Sequence, residues 1–309
     1  MKNQGFLKFL EQFDKAFRLL VNNDPMRLAG ATAFFTTFAL PPILLILIQL
    51  LGLLFNRRNI SRELLLRLSN IVGKDSVHQI IGTLKAFRGL AINWPVTILG
   101  FIFLVFVATT LFKVIQSSFN QLWMIRRTGN HSFGMAMGTR FKSFLVILFT
   151  GLLFAASLFT ESLQLIFGKY ITELMPGVAM LFNKALTIII SLLTVWAWFA
   201  VLFRYLPDGK PAWKVAFTGA LVTSILFNLG KYLLGRLLPN SNIGVIYGTS
   251  ASIVLLLLFV FYSSLILYYG AAFTKVWSDY IGQPIQPVDN AICYAYANTE
   301  TEGGVVITK

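Results

Sequence analysis

The stretch 28-LAGATAFFTTFALPPILLILIQLLGLLF-55 decides the fold of this chain, because it runs for 28 residues without a charged side chain. A helix needs only about 20 apolar residues to cross a bilayer. The whole chain is 56% hydrophobic and 12% charged over 309 residues, a balance that a water-soluble fold cannot bury. It therefore predicts an all-α integral membrane protein with six transmembrane helices, the other five at 94–112, 141–166, 183–203, 212–237 and 249–274.

Two local signals lie just before the first span and in its middle. Asn23-Asp24-Pro25 predicts the start of a helix, since proline is favoured in a first turn. Pro41-Pro42 removes two backbone donors and predicts a kink or a broken helix. Thr32 and Thr36 lie on one face of the helix just before the prolines. Two interpretations are open: the prolines only bend the helix, or they break it and free backbone carbonyls that line an ion or substrate site.

Two segments outside the spans have amphipathic patterns. The N-terminal segment 6–21 predicts a helix lying in the headgroup region, and its apolar face carries Phe6, Leu10, Phe13, Phe17 and Leu20. Between the first two spans, 61–72 and 75–88 predict a helical hairpin on the membrane surface or over one end of the bundle. We interpret residues 1–281 as one membrane domain and 282–309, which lack apolar periodicity, as a flexible C-terminal tail.

The distribution of basic residues sets the orientation. With the N-terminus in the cytoplasm, inside segments hold 15 Lys and Arg residues and outside segments hold 11, of which 7 lie in the first loop. Without that loop the ratio is 15 to 4, so we expect both termini to be cytoplasmic. The net charge of +14 is scattered over loops, which favours anionic membrane lipids as partners rather than nucleic acid.

Enzyme motifs are missing from the sequence. His78 and His131 lie in loops predicted on opposite sides of the membrane, and Cys293 is the only cysteine. No H-E-x-x-H, C-x-x-C or phosphate loop occurs, and the twelve carboxylates are dispersed. We therefore expect a non-enzyme without catalytic residues, metal or cofactor.

Polar residues inside the spans are better functional candidates than the loop residues, because placing a polar side chain in the hydrocarbon core costs free energy. Glu161 and Lys231 fall at similar predicted depth and could form an ion pair, while snorkelling of both, and of Arg236, is the alternative. The fifth span also has a small and polar face, which favours either a substrate path or close helix packing. Its members are Gly219, Thr223, Asn228, Lys231 and Gly235.

Three motifs resemble the YihY/BrkB family of bacterial inner-membrane proteins over nearly all of 6–280. They are AGATAFFTTFALPPILLILIQLLG in the first span, FNQLWMIRR at 119–127, and the block RYLPDGKPAWKVAFTGALVTSILFNLGKYLLG followed by IYGTSASIVLLLLFVFYSSLILYYGAAF. Matching positions are Asn120, Trp123, Tyr205, Pro207, Trp213, Gly219, Lys231, Tyr247, Gly248 and Gly270. Many relatives have a glutamate where this chain has Ala272, which puts any mechanism using that carboxylate in doubt here.

The resemblance implies six helices in the inner membrane with cytoplasmic termini. Relatives have carried a ribonuclease BN label, against which the absence of a metal-binding motif argues. Transport of lipids or other envelope components is the usual suggestion, and we adopt it as a hypothesis, with a cavity between spans 1, 5 and 6. The rival is a non-transporting scaffold or partner of an envelope assembly system. The candidate path residues are Thr36, Pro41, Asn228, Lys231, Arg236, Tyr247 and Ser250.

Overall fold

In the part of the chain that it describes, the structure, a computed structural model, has six long helices and six short strands. The helices are α1 (Lys2–Val21), α2 (Pro25–Leu51), α3 (Trp94–Leu122), α4 (Pro176–Tyr205), α5 (Trp213–Leu237) and α6 (Ala251–Tyr280). The strands are β1 (Ile125–Arg127), β2 (Gly209–Lys210), β3 (Gln286–Pro287), β4 (Ala291–Cys293), β5 (Thr299–Glu302) and β6 (Val305–Thr308). The described residues are 2–51, 61–66, 69, 77, 81–82, 94–128, 138, 145, 148–150, 152–153, 156, 176–237, 247, 251–288, 290–294, 299–302 and 305–308.

Apolar helices of membrane-spanning length are present, as the sequence predicts. Within the described residues, three stretches are long and apolar enough to cross a bilayer: Ile188–Tyr205, Trp213–Leu234 and Ile253–Tyr280. The helices α2 and α3 have 27 and 29 residues, which corresponds to about 40 Å each at 1.5 Å per residue. The predicted third span, 141–166, lies mostly outside the described residues, so the count of six remains a prediction.

The last helix, α6, is the centre of the bundle. It packs against α1, α2 and α5, while α2 also packs against α3 and α5 against α4. The core follows from this arrangement, because the five largest fully buried side chains come from α3, the residue that follows it, α4 and α6. They are Phe119, Trp123, Phe203, Tyr268 and Phe273.

The first span begins at Pro25, as predicted, and remains a single helix to Leu51. Of the two outcomes predicted at Pro41-Pro42, a kink or a broken helix, the broken helix is wrong because α2 continues through both prolines, while the kink stays a prediction. Thr36 donates a hydrogen bond to the Thr32 carbonyl (2.7 Å), and Pro41 is buried. A helix inside a bundle tolerates the two missing donors, because packing against neighbouring helices holds it together.

The N-terminal segment forms a helix that packs against α6. The ring centroids of Phe13 and Phe273 are 4.8 Å apart, and the Tyr269 hydroxyl donates to the Phe13 carbonyl (3.2 Å). Of the predicted apolar face, Phe13 is packed against the core and Leu20 is buried, whereas Leu10 and Phe17 are exposed. The face that contacts the bundle is therefore rotated from the predicted one.

The segment between the first two spans contributes buried side chains to the bundle. Leu64 belongs to the main core. Val77 is buried against Leu256 of α6, and Ile81 packs at the same place. Most of 61–88, including Ile80, Leu84 and Phe87 of the predicted stripe, lies outside the described residues, so the helical hairpin stays a prediction.

Short strands tie the C-terminal segment to the loops at one end of the bundle. β3 pairs with β2, and β4 pairs with β1, both antiparallel. Ile285 is buried beneath them, and β5 and β6 form a hairpin. All four C-terminal strands lie in 282–309, for which the sequence predicts a flexible tail. Their pairing was missed because strands of two to four residues leave no detectable periodicity.

Candidate functional site

Polar groups converge most closely at the end of the bundle where α3 and α4 finish. Asp208 follows α4, and only 3% of its side chain is exposed. Arg127 of β1 binds it with both arms of the guanidinium, Nε to Oδ2 at 2.9 Å and Nη2 to Oδ1 at 2.6 Å. A two-pronged pair of this kind is the strongest form of charge-assisted hydrogen bond.

Two amides of α3 complete the shell around Asp208. Asn120 donates to Oδ2 (2.7 Å) and accepts from the Asp208 backbone N–H (2.9 Å). Gln116 donates to Oδ1 (3.1 Å). The Asp208 carbonyl in turn accepts from the N–H of Val288 (2.9 Å), which belongs to the C-terminal segment. This Asp208 cluster therefore joins α3, the α4–α5 loop, β1 and the C-terminal segment.

The sequence analysis missed the Asp208 cluster, although it quoted the two motifs that contain it. Asn120 and Arg127 lie in FNQLWMIRR, and Asp208 lies in RYLPDGKPAWK. The signal was that Asp208 is the only carboxylate between residues 175 and 240, on the same predicted side as two adjacent arginines. The pair was not predicted because its two residues are 81 positions apart in the sequence.

A second buried cluster lies within the helices. The Tyr268 hydroxyl of α6 bonds to the hydroxyls of Thr32 on α2 and Ser118 on α3. Nearby, the Trp123 indole N–H donates to the Ala271 carbonyl (2.9 Å). Buried hydroxyls must find partners, so these bonds fix α2, α3 and α6 relative to one another.

Contacts at the ends of the helices define their relative directions. Arg27 near the start of α2 contacts Gln121 near the end of α3 (3.3 Å), and the Asp208 cluster brings the ends of α3 and α4 to the same place. The helices α3 and α4 therefore run in the same direction. In the predicted six-span topology, the second and fourth spans also cross the membrane in the same direction.

The small face of the fifth span is a packing surface over much of its length. A methyl group added at Gly219 would overlap the Thr274 hydroxyl, and one added at Gly270 would overlap the Thr223 hydroxyl. At Gly230 it would lie 2.8 Å from the Tyr262 hydroxyl. The contacts of Gly219 and Gly270 are reciprocal between α5 and α6, because each helix presents glycine and, four residues later, threonine. The close-packing alternative therefore describes this interface.

The predicted path residues are spread over several surfaces. Thr36 bonds within α2. Asn228 is half-buried, donates to the Ser224 carbonyl and lies 3.3 Å from the Ser191 hydroxyl of α4. Tyr247 is exposed. Lys231 is half-buried on α5. The Arg236 side chain, Ser250 and Glu161 lie outside the described residues, so the Glu161–Lys231 pair stays a prediction.

The helices expected to enclose the cavity are arranged around α6. Both α2 and α5 pack extensively against α6, and among the described elements they do not pack extensively against each other. Asn228 contacts α4 rather than α2 or α6. The polar residues of the first and fifth spans are therefore not brought together in the part of the chain that the structure describes.

Comparison with known proteins identifies the family. A family model described as virulence factor BrkB matches residues 16–289, which covers α2 to α6 and the α4–α5 loop. The chain belongs to the BrkB family. The YihY/BrkB resemblance inferred from the sequence is thereby confirmed. Ala272 of α6, the position noted in the sequence analysis, is fully buried.

The chain is also similar to proteins named UPF0761 membrane protein. One from Delftia acidovorans is 26% identical over 251 residues, which is 80% of this chain and 57% of the relative. One from Pseudomonas aeruginosa is 26% identical over 274 residues, 86% of this chain and 61% of the relative. The chain thus spans about three fifths of the length of these relatives. No solved structure matches.

Proposed function

We propose that this BrkB-family membrane protein is a transporter in the bacterial inner membrane, with both termini in the cytoplasm. Its substrate is an anionic lipid or another envelope-related amphiphile. Membership of the family and the long apolar helices support the membrane setting. The observation that carries the proposal is a half-buried cation, Lys231, on a membrane-spanning helix.

The surroundings of Lys231 suit an anionic substrate. Lys231 lies 18 residues after Trp213, about 27 Å along α5. Asn228, one turn earlier, contacts Ser191, so this part of α5 faces α4. Among the described residues no carboxylate forms an ion pair with Lys231. A charged side chain in a span is costly unless it has a partner, and an anionic headgroup supplies one.

The packing of α5 favours a substrate path on the side of this helix that faces α4. The reciprocal glycine and threonine contacts close the α5–α6 interface, whereas polar groups of α4 and α5 meet at Ser191 and Asn228. We therefore place the substrate headgroup on the α4–α5 side of Lys231 rather than between spans 1, 5 and 6.

The scaffold alternative has less support from the described residues. It requires the apolar stripe of the predicted hairpin to be available to a partner protein. Val77 and Ile81 of that stripe pack against α6 instead.

Transport is tested with purified protein in lipid vesicles that contain a fluorescent phosphatidylglycerol. We expect the native protein to accelerate movement of the labelled lipid between leaflets, and Lys231→Met to slow it about tenfold or more, since a hydrogen bond to a charged group contributes roughly 1.5–3 kcal/mol. Lys231→Arg keeps the charge and should retain most activity.

The matched control is Lys113→Met, which removes an exposed cation from α3. Equal rates for native protein and Lys231→Met would reject the role of Lys231. A native protein that moves the lipid no faster than protein-free vesicles would reject lipid transport itself.

A further inference from the structure

Aromatic side chains form a continuous ladder on the surface where α4 ends and α5 begins. Ring centroids are separated by 6.0 Å between Tyr205 and Trp213, 5.1 Å between Trp213 and Phe217, and 5.1 Å between Phe217 and Trp196. Trp196 also donates its indole N–H to the Phe217 carbonyl (3.0 Å). Tyr205, Trp213 and Phe217 are exposed. Exposed tryptophan and tyrosine are typical of the boundary between lipid headgroups and acyl chains.

Three cations lie at this aromatic ladder. The Arg204 guanidinium carbon is 5.5 Å from the centroid of the Trp213 ring, and the same guanidinium donates to the Pro211 carbonyl. Lys210 and Lys214 are exposed on either side of this turn. Among the described residues none of the three forms an ion pair with a carboxylate.

The neighbouring carboxylate does not neutralise these cations. Asp208 is the only acidic residue in α4, α5 and their connection. Its side chain is buried and held by Arg127 and two amides. The surface beside the aromatic ladder therefore carries three basic side chains, Arg204, Lys210 and Lys214, that Asp208 does not pair with.

An exposed apolar row continues from the aromatic ladder along α5. Side chains spaced four residues apart lie on neighbouring turns, each about 40° further around the helix axis, so such a row winds gradually around the helix. All members of this row are exposed: Trp213, Phe217, Leu221, Ile225, Leu229 and Leu233. The charged end is thus joined to an apolar strip that runs nearly the full length of the helix.

We infer that the α4–α5 turn is a binding site for an anionic phospholipid. Arg204, Lys210 and Lys214 hold the phosphate, and the acyl chains lie along the row that starts at Phe217. The charge complementarity selects an anionic headgroup, and the attached apolar row selects a lipid over a free anion. This inference is independent of the transport proposal, because binding is measured without movement of lipid across the membrane.

The site is tested by native mass spectrometry of the full chain released from detergent with added phosphatidylglycerol or phosphatidylcholine. We expect bound phosphatidylglycerol on the native protein and about 25-fold weaker binding to the double variant Lys210→Gln/Lys214→Gln, because each basic residue near an anionic lipid contributes roughly fivefold. Both positions are exposed, so the variant should fold.

The control variant is Lys8→Gln/Lys113→Gln, which removes two exposed cations from α1 and α3, outside the α4–α5 turn. It should retain phosphatidylglycerol. Equal loss in both variants would mean general attraction to the basic protein and would overturn the site, as would undiminished binding to the first variant. Displacement of the lipid by an equal concentration of inorganic phosphate would overturn the assignment to a phospholipid.

Discussion

Replacing Asp208 by asparagine tests whether its buried cluster fixes the end of the bundle. The carboxylate accepts four hydrogen bonds, two from Arg127 and one each from Asn120 and Gln116. An asparagine amide group would turn a donor toward these donors and leave the arginine without its countercharge. Removing one partner of a buried pair costs about 3–5 kcal/mol.

The expected decrease in the free energy of unfolding for Asp208→Asn lies at the lower end of that range, at about 3 kcal/mol. Arg127 remains 28% exposed, so water compensates part of its lost partner. A loss of about 3 kcal/mol lowers the Tm by about 6 °C, at roughly 2 °C per kcal/mol for a large chain. The assay is the temperature at which detergent-solubilised protein loses its monodisperse peak in size-exclusion chromatography.

The matched control is Asp279→Asn, which makes the same chemical change in an ion pair on the surface. Asp279 is 52% exposed and pairs with Lys275 one turn away, so its loss should change the Tm by less than about 2 °C. If Asp208→Asn behaved like Asp279→Asn, the cluster would not be the structural element that we derive from its contacts.

Two further predictions concern the packing of α6. Gly219→Ala should cost about 1–3 kcal/mol, because the added methyl group overlaps the Thr274 hydroxyl. Adding Thr274→Ala should restore most of the lost stability, measured as the melting temperature. The control is Gly30→Ala, which should not destabilise the protein because nothing lies within 4 Å of its new methyl group. If Thr274→Ala did not raise the melting temperature of Gly219→Ala, the close contact would be contradicted. Tyr268→Phe should cost about 1–2 kcal/mol by removing bonds to hydroxyls of α2 and α3. The same change at exposed Tyr280 should have no measurable effect on melting, and equal behaviour of the two variants would contradict the role of the buried hydroxyl.

The candidate site was only partly readable from sequence. The fifth span was singled out for its small and polar face, and at Gly219 and Thr223 the structure shows the alternative of close helix packing. Which partner each residue meets was not predictable, because a helix pattern gives the face but not the neighbouring helix. Asn228 was assigned to a cavity with the first span, yet it contacts Ser191 of α4.

The sequence alone determined that this is a membrane protein and that α2 begins at Pro25. Runs of apolar residues too long for a soluble core, and a proline at the first turn of α2, act within single segments and need no knowledge of neighbours. Family membership also followed from local motifs, since each is a contiguous stretch.

Only the tertiary structure decided which distant residues meet. The Asp208–Arg127 pair joins positions 81 residues apart, and the bond from Tyr268 to Thr32 joins positions 236 apart. The continuity of α2 through its two prolines and the pairing of the C-terminal strands were settled in the same way. Such contacts depend on how whole helices pack, and lipid-facing apolar residues carry the same composition as core residues, so the pattern in one segment cannot specify them.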